Sequence, residues 1–333
     1  MHTGSHYKLK EFLVWTKVNI FIIVLISTIP TVLFAVFGWH WLGIPWVPVA
    51  LVGTGAAFIV GFKNTQTYNR LWEARQIWGS VVNSSRSWGI MARDLVQSGN
   101  AARDNEIHRQ LIYRHIAWLT ALRYQLRTPR SWENQTKSYN VEYHRHFNVP
   151  EQQLPFAEAI RPYLSEEEFA RIQHKANPAA QIISMQSEQL RALHQDGSLD
   201  NYRFVELERR LADLYEHQGR SERIKNFPYP RQFASINLFF IWIFVCILPF
   251  GIINEFNKMG DHCVWFTIPC SVLISWIFTS MEQVGESTEN PFEGGPNDVP
   301  ITALSRAIEI DLREMLNESN LPQAIVPVNN ILM

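Results

Sequence analysis

Residues 18–62 contain no Asp, Glu, Lys or Arg, and neither do residues 232–254 or 262–281. A water-soluble chain rarely leaves charge out for so long, so a wholly soluble globular protein is excluded. Cysteine is scarce. Cys246, Cys263 and Cys270 are an odd set without a spacing framework, which excludes a disulfide scaffold and leaves them as packing residues in or beside the last apolar runs. An excess of basic charge is also missing: 30 Lys and Arg stand against 31 Asp and Glu, a net charge of -1 and pI near 6.8, which speaks against nucleic-acid binding. The apolar runs hold no ionisable acid or base in their interiors, where pumps and proton-coupled transporters place theirs. His40 and His262 sit only at run ends, which excludes a bis-histidine haem within the bilayer. There is no glycine-rich nucleotide loop, no H-E-x-x-H and no G-x-S-x-G, so no enzyme is indicated.

What is present is a set of long apolar runs. A helix needs about 20 apolar residues to cross the hydrocarbon core. The first run has room for two crossings and the later ones for one each. The spacing predicts spans at 18–37, 44–62, 233–253 and 262–281, joined as two helical hairpins by turns at 38–43 and 254–261. Mean hydropathy is only -0.11 because residues 63–231 are polar and rich in helix formers. The first run follows a partly basic segment and is too long for a signal h-region, so it is expected to be a retained span.

Lysine and arginine set the orientation. Lys8, Lys10 and Lys17 precede the first span; Lys63, Arg70 and Arg75 follow the second; Arg223, Lys225 and Arg231 precede the third. The hairpin turns hold only Lys258. The positive-inside rule then puts both termini and the 63–231 insertion in the cytoplasm, in a multi-pass protein of the plasma (inner) membrane. The chain divides into a cytoplasmic segment 1–17, a hairpin 18–62, a helical cytoplasmic domain 63–231, a second hairpin 232–281, and a cytoplasmic turn, docking helix and tail 282–333. The fold class is all-α.

The second span is expected to continue as one helix through 64–96, where Leu71, Trp78, Val81, Val82 and Trp88 recur at helical spacing without proline. Further helices are expected near 106–126, 165–174, 178–194 and 202–225, with 128–155 irregular. Pro30, Pro249 and Pro269 fall inside spans and suggest kinks. Asp298 is placed to cap a helix whose stripe is Ile301, Leu304, Ile308 and Leu312. The tail 321–333 reads as an extended segment available to a neighbouring subunit. His144 and His146 read as an exposed loop pair rather than metal ligands.

The inner half of the second span carries the strongest functional signal. Thr54, Phe58 and Phe62 stand four residues apart on nearly one face, and Gly53, Ala57 and Gly61 on the next. Small residues allow close helix approach in a bilayer. Phenyl rings gathered around an axis would form a hydrophobic constriction of the kind that gates by dewetting. The bland alternative is a ring stripe in packed core or facing lipid.

Three blocks resemble the bestrophin family in its bacterial branch. They are Gly61-Phe-Lys-Asn-Thr-Gln-Thr-Tyr-Asn-Arg-Leu-Trp-Glu-Ala-Arg-Gln-Ile-Trp-Gly79, Glu289-Asn-Pro-Phe-Glu293 with Asn297-Asp-Val-Pro-Ile301, and, more weakly, Phe227-Pro-Tyr-Pro-Arg231. The resemblance implies a homopentamer in the lipid bilayer that passes monovalent ions passively through one central pore. It implies a neck at Thr54, Phe58 and Phe62 and a second, cytoplasmic aperture near Ile182 or Ile183. Relatives hold Ca²⁺ in an acidic run after the Asn-Pro-Phe block. Here Gly294, Gly295 and Pro296 break that run and leave Glu293 and Asp298 as weak candidates, which argues against calcium activation and leaves no expected cofactor. Electropositive ring edges at the neck would favour chloride; π faces turned inward would favour a cation such as sodium. A non-conducting receptor or scaffold is the reading from another class.

Overall fold

The computed structural model describes residues 1–143 and 146–333; the His144–His146 pair thus falls partly outside the described residues. The described chain is helical: α1 (Leu9–Ala35), α2 (Trp46–Leu95), α3 (Ala101–Arg127), α4 (Ser138–Tyr143), α5 (Pro150–Gln153), α6 (Phe156–Ile160), α7 (Glu166–Ile172), α8 (Pro178–Gln195), α9 (Asn201–Asn226), α10 (Arg231–Asn257), α11 (Thr267–Ser287) and α12 (Ile301–Met315). Helices α1, α2 and α10, and α11 with the 3-10 turn before it, are each long and apolar enough to cross a membrane. These four pack together as one bundle.

Two cores result, and different physics holds each. The apolar bundle centres on Ile23, Val49, Val60, Ile241, Phe244 and Leu248. Lipid tails are as apolar as these side chains, so close packing has to supply the association. Glycine permits it. A Cβ at Gly53 would lie 2.6 Å from the Phe244 ring, and one at Gly251 2.8 Å from Val49. The second core joins the far half of α2 to α3, α8, α9 and α12 around Trp78, Trp88 and Trp118. Here water drives burial, at about 1.5–3 kcal/mol for a large apolar side chain. The Trp118 indole donates to Gln218 Oε1 at 2.9 Å, so its polar edge is satisfied inside that core. Helix α2 runs unbroken for 50 residues and belongs to both cores.

Several expectations need correction. Helix α1 begins at Leu9, well before residue 18; the Lys8 N–H donates to Glu11 Oε2 at 3.3 Å, which satisfies one N–H at the helix start within the polar segment. Pro269 occupies the third position of α11, where its missing N–H is one that a helix start leaves unpaired anyway, so no kink is required there. Pro30 and Pro249 do lie inside helices. Asp298 does not cap α12: the N-cap is Pro300 and no side chain caps it. The predicted stripe of α12 does pack, with Ile301, Ile308 and Leu312 buried. The tail returns to its own chain: Thr3 N–H donates to the Asn330 carbonyl at 2.8 Å, and Ala303 N–H to that of Met333 at 2.6 Å. Cys246 is exposed and the other two cysteines half-buried, so none is a core packing residue within the protomer.

Candidate functional site

Helix α2 presents two unlike faces across the bundle. Val49, Gly53, Ala56, Val60, Lys63 and Thr67 are buried, and this side packs on α10 and α11. Thr54, Phe58 and Phe62 lie on the opposite side, with Phe58 77% and Phe62 45% exposed. The Thr54 hydroxyl donates to the Ala50 carbonyl at 2.9 Å, so it satisfies itself within the helix. The Phe62 ring sits 6.0 Å from that of Phe233. The outward face continues into polar Thr65, Gln66 and Asn69, all exposed. A ring stripe that runs into amides suits a water-filled passage better than a lipid-facing wall, since polar groups next to a span need water or partners. Ala57, expected on the tightly packed face, is exposed, and a Cβ at Gly61 would meet nothing within 4 Å; only Gly53 of that trio makes the close approach inside the protomer.

Where α2 leaves the bundle, Lys63 Nζ donates to Glu282 Oε1 of α11 at 2.5 Å, with both side chains buried. The other carboxylate oxygen, Oε2, has no partner, nor does Asn64 Oδ1 beside it. Gly285 makes room here: a Cβ at that position would meet Asn64 Oδ1 at 2.4 Å. Sequence reasoning missed this pair, although a signal was present. Lys63 is the first charge after the first apolar run and Glu282 the first after the last run. In an up-and-down bundle two such run ends lie at one depth.

The three sequence blocks meet at this level. Arg70 of the first donates to the carbonyls of Ile224 and Phe227 at the end of α9. Arg231, closing the Phe-Pro-Tyr-Pro-Arg block, pairs with Glu289 of the Asn-Pro-Phe block at 3.1 Å. Thr288, the residue before the Asn-Pro-Phe block, donates to the Thr67 hydroxyl at 3.1 Å, which ties that block to the first. Segments far apart in the chain are thus tied into one collar around α2. The family profile described as Bacterial/Fungal Bestrophin protein matches residues 11–314, which takes in the whole collar. The chain belongs to the bestrophin family.

Curated relatives of this bestrophin include the voltage-dependent anion channel-forming protein YneE of Escherichia coli, 29% identical over 280 residues, or 84% of this chain and 80% of that protein. A similarly named protein of Ralstonia nicotianae is 27% identical over 286 residues, covering 85% and 82%. Among solved structures, a bacterial bestrophin homologue from Klebsiella pneumoniae superposes with a TM-score of 0.76 at 23% identity, over 91% of this chain and 99% of that one.

In this bestrophin the broken acidic run folds into a closed turn. Asp298 Oδ2 accepts from Gly294 N–H at 2.7 Å and from Arg127 at 3.2 Å. Glu293 Oε2 accepts from Asn134 N–H at 3.0 Å and from the Asn290 amide at 3.3 Å. Both carboxylates close on Gly295, where a Cβ would lie 2.9 Å from Asp298 and 3.9 Å from Glu293. Gly294 has φ +102°, a conformation that side chains resist. Burial, with the Asp298 charge next, pushes the Glu293 carboxyl well above the usual carboxylate range. Burial also raises Asp298, against the pull of Arg127. Arg127, two backbone N–H groups and the Asn290 amide thus hold one oxygen of each carboxylate, Asp298 Oδ2 and Glu293 Oε2. Among the described residues no group of three or more His, Cys, Asp or Glu could hold a metal.

Ile182 and Ile183, placed by resemblance at the cytoplasmic aperture, are 0% and 9% exposed and belong to the second core. A side chain that narrows a shared aperture has to project from its protomer. Within the protomer these two pack α8 into the second core, and Gln181, Ser184 and Glu188 are exposed on that helix.

Proposed function

We propose that this bestrophin is a passive anion channel, assembled as a homopentamer, in which Thr54, Phe58 and Phe62 of five α2 helices line an apolar neck. The observation that carries this reading is the outward stripe on α2: the Phe58 and Phe62 rings are exposed on the side turned away from the bundle contact, Phe62 touching its own protomer at Phe233, on a helix packed tightly on its other side. Around a symmetry axis those rings form stacked apolar constrictions, and dewetting at such rings gates flow. The names of the Escherichia coli and Ralstonia relatives as anion channel-forming proteins support anions over cations. Ring edges turned to the axis supply weak electropositive contacts that suit chloride. The Asp298–Arg127 and Glu293–Asn134 contacts support a channel that opens without calcium.

The test is a reversal-potential measurement on purified protein in a planar bilayer under an asymmetric NaCl gradient. Reversal near the chloride equilibrium potential is expected. Reversal near the sodium potential would replace the anion reading with a cation channel of the same fold. No current from a folded oligomer would favour a receptor or scaffold.

A further inference from the structure

A cleft of about 420 Å³ opens on one flank of α2 and reaches up to the Phe62 ring. Helix α2 contributes Phe62, Arg70 and Glu73 to its wall, and the segment entering α10 contributes Tyr229 and Phe233. Two polar groups of this wall lack partners among the described residues. Arg70 gives Nη2 to the carbonyls of Ile224 and Phe227, while no acceptor or carboxylate reaches its Nη1. The carboxylates nearby are taken, Glu73 by Arg223 and Glu289 by Arg231. Tyr229 is only 6% exposed, yet its hydroxyl makes no hydrogen bond.

The other flank of the same helix carries a complement. Tyr68 and Trp72 stack there, ring centres 6.4 Å apart and planes at 13°, and both are about half exposed. At about 100° per residue, Phe62, Gln66 and Arg70 centre roughly 140° around α2 from Tyr68 and Trp72, with Phe58, Thr65 and Asn69 between. If that middle strip faces an axis, the two flanks face the two neighbouring copies. Depth agrees as well. Rotation about an axis running along α2 keeps each residue at its own height, so the cleft, at the level of residues 62–73, meets only neighbouring residues of that level. Tyr68 and Trp72 lie within it.

We propose that in the assembled ring the Tyr68–Trp72 stack of each protomer seats in the cleft of the next. The stack lays a ring face on the Arg70 guanidinium, and the Trp72 indole N–H donates to the Tyr229 hydroxyl. A guanidinium without a carboxylate is what an aromatic face attracts, and a covered indole N–H needs an acceptor. The contact joins unlike surfaces head to tail, so it builds a closed ring instead of a two-fold dimer. Each Phe62–Phe233 pair is then backed by a neighbour's rings. The contact rests on the ring assembly proposed above and is independent of which ion passes.

Photo-crosslinking in membranes tests it, with Trp72 replaced by p-benzoylphenylalanine, which keeps an aromatic ring at that position. Irradiation is expected to give covalent dimers and higher rungs, with the adduct on the Tyr229–Phe233 segment or on α2 of the neighbour. Tyr229→Phe removes only the hydroxyl. It should raise the concentration at which the purified oligomer dissociates several-fold, and have no further effect in a Trp72→Ala background. Adducts confined to lipid or to the same protomer, in a protein that native mass spectrometry shows to be an oligomer, would overturn the docking and leave the ring assembly standing. A monomer would overturn both. Equal effects of Tyr229→Phe in the two backgrounds would overturn the pairing of Trp72 with Tyr229.

Discussion

Lys63 Nζ and Glu282 Oε1 stand 2.5 Å apart in a buried pair where α2 and α11 leave the apolar bundle. Removing one partner strands a charge, which costs about 3–5 kcal/mol, whereas removing both leaves an apolar contact. Lys63→Met and Glu282→Leu should each lower the unfolding midpoint strongly. The double variant should be more stable than either single one, as read by tryptophan fluorescence on heating. Additive losses would show that the two side chains act independently.

Phe58→Ala with Phe62→Ala widens and wets the proposed neck. Single-channel conductance is expected to rise while the oligomer elutes unchanged on size exclusion, because both rings lie outside the protomer core. Unaltered conductance and selectivity would remove these rings from the constriction.

Gly53→Val drives a side chain into the Phe244 ring, which itself packs on Phe278 at 4.7 Å between ring centres. Overpacking of this kind costs about 1–3 kcal/mol. Phe244→Leu introduced alongside should recover part of the loss. If it recovers none, the α2–α10 contact is not what limits residue 53.

Glu293 gives a pH dependence of unusual sign. Its folded carboxyl is raised, so the folded state binds the extra proton between the unfolded and folded values, and stability falls as pH rises through that window. Glu293→Gln should flatten this slope and raise the unfolding free energy at alkaline pH by about 1.4 kcal/mol for each pKa unit abolished, seen as a higher unfolding midpoint. Added calcium or a chelator should leave the wild-type midpoint unmoved. A calcium-dependent rise would mean that the ion displaces Arg127 from Asp298.

The sequence made the apolar helices and the long run of α2 legible, since both rest on patterns local to the chain. The charge-free runs mark the spans, and the 3.6-residue period from Leu71 to Trp88 carries α2 onward. Long-range pairing was not legible. Asp298 looked like a helix cap because capping is local, but its partner Arg127 is 171 residues away in sequence. The glycine stripe failed for a geometric reason. Steps of four residues overshoot a helical turn by about 40° each, so a trio that starts on the buried face at Gly53 has rotated out of it by Gly61. The resemblance is thinnest around Ile182 and Ile183, which are buried within the protomer.

Helix α2 has no joint. At about 1.5 Å per residue its 50 residues make a rod of roughly 75 Å. One end is clamped by Trp78 and Trp88 in the water-facing core, and Phe58 stands about 20 Å beyond Leu71, where that clamp begins. A tilt of about 5° at the clamp swings Phe58 by roughly 1.7 Å on that lever arm, with no hinge to absorb it. Anything that leans on the water-facing helices is therefore carried along α2 toward the phenyl rings rather than absorbed at a hinge.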